Sequence, residues 1–492
     1  MHEHLPVLVI VVPLMTALLI PLLSRFGGVR TAWTLVAAAL GFSTYASWAL
    51  LARVGQEGFV RYAMGGWLAP TGIEYVVDPL NAMVLVMVSS VGVLATLWMA
   101  RGLAVDLAPE RRSGYLTVFL LFVTGLMGIT ITGDVFNLYV FLEISSITSY
   151  VLIGMGRRRQ ALYAGYSYLI VGSIGATFIL LGIGYLYQAT GTLAMADLAE
   201  RLPELFHQRN VLTAFAFVTV GLAVKMALFP LHGWQPSAYS QAPAGASIFL
   251  AATATKVSAY TLYRFVYTIY GPRFLIDVLP TARDLILVSA CAGIVFGPLL
   301  ALRQSDLKRL LAYSSVGQIG TIVLGVVLLD PAGTAGGILH MWNHAAAKGA
   351  LFCVAGALAA RTGGTRVKDL AGLGRRAPWT GATVTIAGLS MIGVPLTAGF
   401  QSKWLLATGA LEAGMPLVVP VLLLSSLFTV IYVWRIGMLV WFAPDDVEPK
   451  VTSEVPWSMR IPGLVLAGLC LVLGVPSWAG TWAQAAAEAL LR

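Results

Sequence analysis

Long apolar runs separated by short polar segments recur from one end of this chain to the other. A membrane-crossing helix needs about 20 mostly apolar residues. On that criterion fourteen segments qualify, roughly 5–24, 31–52, 79–100, 114–132, 135–155, 161–188, 211–231, 243–266, 283–302, 309–329, 333–360, 380–410, 416–442 and 460–479. The first run, Leu5 to Leu23, exceeds the roughly 7–15 apolar residues of a signal peptide, and its flank "MHEH" lacks Arg and Lys. It reads as an uncleaved first span. The twelfth segment is too long for one straight helix, and "GVPLTAG" (393–399) inside it predicts a break. A second break is expected in span seven, near Pro230.

Composition agrees with the pattern. The chain is 58% hydrophobic and 11% charged, with a mean hydropathy of +0.83, where soluble domains carry roughly 25% charged residues. This is an all-α polytopic membrane protein. Its net charge of +9 is therefore read as a property of loops, not as a nucleic-acid footprint. Loops after odd-numbered spans carry eighteen Lys and Arg residues, Lys308 among them; even-numbered loops carry seven. Positive charge marks the cytoplasmic side, so both termini are expected outside, in a bacterial inner membrane. Cys291, Cys353 and Cys470 lie in apolar runs with no paired spacing. They suggest neither a disulfide framework nor a metal site.

Faint self-similarity runs through the chain. "EISSITSYVLIG" (143–154) resembles "AYSSVGQIGTIVLG" (312–325), and "SAYTLYRF" (258–265) resembles "TVIYVWRI" (429–436). These pairs match spans five and ten, and eight and thirteen. An offset of five spans reverses orientation, the pattern of an inverted repeat whose broken helices meet at an ion site. The resulting division is three helices in 1–110, a first repeat in 111–270, a second in 271–445 and a last helix in 446–492.

Five charged residues sit inside predicted spans: Glu143, Lys225, Lys256, Lys348 and Lys403. Each costs about 2.5–3.5 kcal/mol at the bilayer centre, together on the order of a whole protein's net stability. They should face a protein-lined or wet interior. A buried lysine holds its proton less tightly and a nearby carboxylate restores it, so lysine suits proton transfer. Glu143 is the intramembrane carboxylate and is expected to pair with Lys225. The break after Lys225 should free carbonyls to line a hydrated cavity. The structural alternative is an ion pair holding two helices together. For Lys256, it is a lysine snorkelling to the surface. In "HMWNHAAAKGALF", His340, His344 and Lys348 fall at i, i+4 and i+8, one polar stripe on a helix. A zinc site is disfavoured by the lysine on the next turn, and a packed histidine is the plain alternative to a proton relay. Lys403, after the second break, is read as the counterpart of Lys225 and the far gate. Asp134 is read as a helix cap.

These residues carry a resemblance. The stretches "GDVFNLYVFLEISSITSYVLIG", "GLAVKMALFPLHGWQPSAYSQAP", "TKVSAYTLYRF", "DLKRLLAYSSVGQIG", "HMWNHAAAKGALF" and "GVPLTAGFQSKW" resemble the antiporter-like subunits shared by Mrp-type cation/proton antiporters, respiratory complex I and membrane-bound hydrogenases. "GWLAPTGIEYVVDPLNAM" and "TGTLAMADLAERL" look most like the D-type Mrp subunit. The resemblance implies fourteen spans, inverted repeats, broken helices seven and twelve, and a mid-membrane proton path through Glu143, Lys225, Lys256, His340, His344, Lys348 and Lys403. It also implies other membrane subunits as partners, with H+ and Na+ as the ions moved. Gln235 and Tyr239 depart from the family's usual Leu and His in "HGWQPSAYSQAP".

The leading reading is a proton-translocating subunit of a multi-subunit Na+/H+ antiporter. The rival is a proton-pumping membrane arm driven by quinone or hydrogen chemistry elsewhere. No GxGxxG motif, cysteine cluster or haem motif occurs in the chain, so no cofactor is expected on it. Bicarbonate uptake and an inert membrane anchor are further alternatives.

Overall fold

The computed structural model of the chain describes residues 2–443, 450–475 and 478–491. Helix α1 (Leu5–Glu57) carries the first two predicted spans end to end. They part at Gly28, whose backbone (φ 64°, ψ −151°) is one that glycine adopts without a steric penalty. An antiparallel hairpin follows, β1 (Val60–Ala63) on β2 (Glu74–Val77), with Val60 opposite Val77. The chain is predominantly helical, and this hairpin is the one sheet among the described residues. Val60, Tyr62, Tyr75, Val76 and Val77 are β-branched or aromatic, which fits a half-buried pleated surface.

Helix α2 (Pro79–Asp106) opens with a reciprocal cap: Asn81 N–H donates to Asp78 Oδ1 (3.0 Å) and Asp78 N–H to Asn81 Oδ1 (2.7 Å). After α3 (Arg112–Ile131), Asp134 caps α4 (Val135–Gly154) by accepting from Asn137 N–H at 2.7 Å, as its residue type predicts. Helix α5 (Arg159–Thr190) leads to a short amphipathic helix, α6 (Met195–Leu205). Met195, Leu198 and Leu202 are buried along one face of it, and Glu200, Arg201 and Glu204 are exposed.

Then come α7 (Arg209–Met226), α8 (Gln235–Gln241), α9 (Ala244–Phe249), a π-helical turn (Leu250–Ala254), α10 (Thr255–Tyr263) and further π turns at Arg264–Ile269 and Phe274–Val278. The rest is α11 (Pro280–Leu302), α12 (Leu307–Val327), α13 (Pro331–Thr362), α14 (Leu373–Arg376), α15 (Pro378–Ile392), α16 (Ala398–Glu412), α17 (Val418–Phe442), α18 (Trp457–Val472) and α19 (Trp478–Leu491). Among the described residues, ten helices are long and apolar enough to cross a membrane. Three of the fourteen predicted spans lie on shorter pieces. Span eight is cut by π turns, span twelve is divided between α15 and α16, and span fourteen is the 16-residue α18. The predicted end of span fourteen reaches 476–477, and the expected boundary at 445/446 falls in 444–449; both lie outside the described residues.

Helix α13 is the central post, buried at every position from Gly333 to Leu358. It packs on α12, α15, α16 and α18. Small residues permit this. A Cβ on Gly337 would stand 2.9 Å from the Gly325 Cα of α12, so the two backbones touch.

The loops sort into two faces. On one, Arg157 donates to the Ala104 and Leu107 carbonyls (3.3 and 3.4 Å) and Arg158 to the Gly363 carbonyl (3.3 Å). Leu307 N–H there donates to the Thr365 carbonyl (2.6 Å), and Lys450 pairs with Asp369 (2.9 Å). On the other, Gly133 N–H meets the Glu74 carbonyl (2.8 Å), Val135 N–H the Leu193 carbonyl (2.9 Å), and Arg264 pairs with Asp78 (2.6 Å). The first face collects odd-numbered loops and the second even-numbered ones. Two loop charges are not solvated, however. Lys308 is 5% exposed and Arg264 is also 5% exposed, because each is folded back onto a partner helix.

Candidate functional site

The break in span seven is built at Ala227, which ends α7 in a left-handed conformation (φ 58°, ψ 44°). Lys225 stands in the last turn before it, 4% exposed. The expected ion pair with Glu143 is not made. Lys225 Nζ donates instead to Ser146 Oγ (2.6 Å) and the Tyr150 hydroxyl (3.2 Å). Glu143, Ser146 and Tyr150 lie at i, i+3 and i+7, one face of α4, and Lys225 meets that face beyond the carboxylate. Glu143 Oε1 is buried without a hydrogen-bonding partner. Tyr150 packs edge-on against Tyr168 (4.7 Å), and Tyr168 stacks on Trp234 (3.7 Å), forming an aromatic wall beside the amine.

Two of the carbonyls at the break are taken up by protein donors. Val224 O accepts from the Trp234 indole (2.9 Å) and Ala227 N–H (3.2 Å), and Ala223 O from Leu228 N–H (2.9 Å). At the second break the freed carbonyls are used differently. Gly393 (φ 88°) and Leu396 (φ 71°) turn the chain between α15 and α16. Lys403, half-buried on α16, donates back to the Met391 and Ile392 carbonyls (3.2 and 2.9 Å) and to Ser426 Oγ (3.0 Å). A cation there meets the negative end of the α15 dipole. Lys225 precedes its break and Lys403 follows its own, so the two are not placed alike.

Lys256 is fully buried. Its amine donates to the Ala251 carbonyl, five residues back in the π turn, and reaches Thr255 Oγ1 at 3.5 Å. π turns of this kind are frequent at functional sites. Lys348 donates to the Leu311 carbonyl (2.7 Å) and to Ser314 Oγ, both on α12. Helix α13, which carries His344 and Lys348, packs against the π turn that holds Ala251. Both ring nitrogens of His344 are buried without a hydrogen-bonding partner. His340 has two: Nε2 faces Gln318 Oε1 (2.9 Å) and Nδ1 faces Ser402 Oγ (2.8 Å). The Ser402 hydroxyl also reaches the Ala398 carbonyl (3.0 Å). It can therefore donate to a neutral imidazole, or accept from an imidazolium while donating to Ala398.

Polar contacts thus join α4 to α7 at Lys225, α12 to α13 at Lys348 and His340, and α13 to α16 at His340, while Lys256 bonds its own helical segment. Each fully buried lysine is held by carbonyl and hydroxyl oxygens only. A neutral amine has two N–H groups, so the two contacts of Lys225, Lys256 and Lys348 can all be kept after a proton leaves. Sequence reasoning missed Ser146, Tyr150, Ser314, Gln318, Ser402 and Ser426. Their one signal is a hydroxyl or amide inside an apolar run, and such groups commonly bond their own helix instead. Ser146 does both, reaching Leu142 O at 2.6 Å. Gln235 is fully buried with neither amide atom partnered, while Tyr239 donates to the Leu250 carbonyl at 3.1 Å.

An integral membrane chain with two broken helices and lysines buried inside its bundle defines a class: the antiporter-like subunits of membrane complexes. The family described as NADH:quinone oxidoreductase/Mrp antiporter, TM, matches residues 132–429. The chain belongs to that family. It is 44% identical over 490 residues to the N subunit of the NADH-quinone oxidoreductase of Desulforudis audaxviator, covering 96% of each chain. It is 29% identical over 486 residues to the D-type subunit of the Na(+)/H(+) antiporter of Bacillus subtilis, covering 99% of this chain and 97% of that one. A chain in the structure of the membrane-bound sulfane sulfur reductase, an archaeal respiratory membrane complex, superposes with a TM-score of 0.91 at 31% identity, over 99% of this chain and 98% of the other. The protein is an antiporter-like membrane-arm subunit of the kind found in Mrp antiporters and complex I. The D-type likeness read from the sequence is the weaker of the two relationships, at 29% against 44%.

Proposed function

We propose that this chain translocates protons as one subunit of a multi-subunit membrane complex. The path runs from Glu143 and Lys225 through Lys256, His344 and Lys348 to His340 and Lys403. The observation that carries this is the set of buried lysines whose ligands serve both the ammonium and the neutral amine. Water bridges complete the steps between them, and the unpartnered atoms of Glu143, Gln235 and His344 mark where such bridges have partners to find. The finer architecture of this reading is fourteen crossings in two inverted five-helix units. Its support is the position of the two breaks and the alignment of Ser145–Ser146 with Ser314–Ser315, each of which includes a serine bonded to a lysine. The arginine-rich face is cytoplasmic in this reading and both termini lie outside.

Two couplings fit such a path. Cation/proton exchange, with Na+ as the cation, is supported by the likeness to the D-type antiporter chain of Bacillus subtilis. Pumping driven by redox chemistry in partner subunits is supported by the 44% identity to a NADH-quinone oxidoreductase chain. Inside-out vesicles containing the whole complex separate them. Under exchange, a Na+ gradient drives proton movement without an electron donor; under redox pumping, proton movement needs NADH or another donor. In the same vesicles Lys225→Ala is expected to lower proton flux by about 100-fold or more at normal assembly, with Glu143→Gln close behind. Wild-type flux in Lys225→Ala removes the relay assignment, and lost assembly alone points to a structural clamp.

A further inference from the structure

A cavity of about 250 Å³ opens on the arginine-rich face, with Asp106, Arg157, Arg158, Ala242, Lys308 and Gly364 in its wall. Arg157 and Arg158 at its mouth are exposed. Lys308 closes its inner end. Its amine donates to the Ala242 carbonyl (3.0 Å) and to Ser247 Oγ (3.3 Å), the same two-oxygen cradle that holds the relay lysines. Asp106 Oδ2 accepts from Ala244 N–H (2.7 Å), so it flanks the same junction between α8 and α9. Ser247 is fully buried and points inward to the Tyr239 carbonyl (2.9 Å).

What lies beyond is Lys348. Its amine reaches α12 at Leu311 and Ser314, three and six residues past Lys308. At 1.5 Å rise per residue those contacts are about 5–9 Å deeper along the same helix. Lys308 therefore stands between an open polar cavity and the first buried amine of the row.

We propose that this cavity is the port by which protons from the arginine-rich face enter the relay, with Lys308 as the residue that passes them inward. The proposal rests on the relay reading above. Asp106 supplies a carboxylate at the mouth of the port, and Ser247 links Lys308 to the interior. A purely structural Lys308 would clamp the Ala242–Ala244 junction and do nothing more. The two roles respond differently to arginine. Guanidinium can donate to the same two acceptors, so it keeps the clamp, but it does not give up its proton.

Two variants test this in vesicles holding the intact complex, with proton flux as the readout. Lys308→Arg is expected to assemble normally and to lose about tenfold or more of the flux. A Cβ at Gly364 meets nothing within 4 Å, so Gly364→Cys places a thiol in the cavity wall without a clash. Unmodified Gly364→Cys should run near the wild-type rate. A membrane-impermeant methanethiosulfonate applied to the arginine-rich face should then cut flux by a similar factor, while the wild type under the same reagent is unaffected. Full flux in Lys308→Arg, or after complete labelling of Gly364→Cys, overturns the port. If Lys225→Ala is inactive in that same case, the relay stands and the port alone fails. If Lys225→Ala is itself active, the relay reading fails and the port falls with it.

Discussion

Among the described residues no carboxylate pairs with Lys256. It is fully buried and bonds a carbonyl and a hydroxyl of its own helix. An unpaired ammonium in that setting is costly to keep, and the same oxygens serve the neutral amine equally well. This is the residue at which a proton carrier and a structural cation are most cleanly told apart. Lys256→Arg retains charge and donors but not exchange. It is expected to depress flux nearly as far as Lys256→Ala, both by about 100-fold or more, at matched expression. Near-normal flux in Lys256→Arg would mean that protons bypass this position. His340 also has a rotating hydroxyl partner, Ser402, which can serve either protonation state. His344 has both ring nitrogens buried and unpartnered.

At the scale of elements, the two broken helices do different work. Both breaks hold a residue other than glycine at positive φ, Ala227 at 58° and Leu396 at 71°, a conformation that costs such residues roughly 1–2 kcal/mol. At the first, the cost fixes the last turn of α7 so that Lys225 faces Ser146 and Tyr150. Ala227→Gly relieves it at a similar entropic penalty, so thermal stability of the complex should change by less than about 1 kcal/mol. Ala227→Val places a β-branched side chain at a buried left-handed position. It is expected to lower stability by about 2 kcal/mol or more and to reduce flux by displacing Lys225. Unchanged melting of the Val variant would show that the helix does not turn left-handed there. At the second break the carbonyls of α15 are themselves the ligands of Lys403, so the end of one half-helix holds a charge borne by the next.

At the scale of the molecule, odd and even loops gather on opposite faces around α13. Loop contacts such as Arg158 with Gly363 on one side and Arg264 with Asp78 on the other establish that separation without saying which face meets the cytoplasm. In the proposed topology the arginine-rich face is the cytoplasmic one. A cysteine introduced in the exposed Arg157–Arg159 segment is expected to react only with reagent on the cytoplasmic side, and one at exposed Ala196 only from outside. Reversed labelling in intact cells and inside-out vesicles would invert the topology, and with it the side on which the proposed port opens.

The sequence by itself determined which segments are apolar enough to cross, where two of them break, that Asp134 caps a helix, and which cations lie in the interior. All of this is local chemistry. Hydrocarbon demands about 20 apolar residues per crossing, and a charge placed there is expensive enough to be conspicuous. Tertiary structure alone decided what each charge touches. Lys225 finds Ser146 from 79 residues away and Lys348 finds Leu311 from 37. Glu143, the partner that charge arithmetic chose, is not in contact with Lys225. Lys308 and Arg264, counted as loop charges, are folded inward, and a stretch read as loop pairs into a hairpin. The reason is the same throughout. Inside a membrane an ammonium is satisfied by any well-placed oxygen, and carbonyls and hydroxyls are present on every helix. Which of them is used depends on how the helices cross, and local sequence does not encode that.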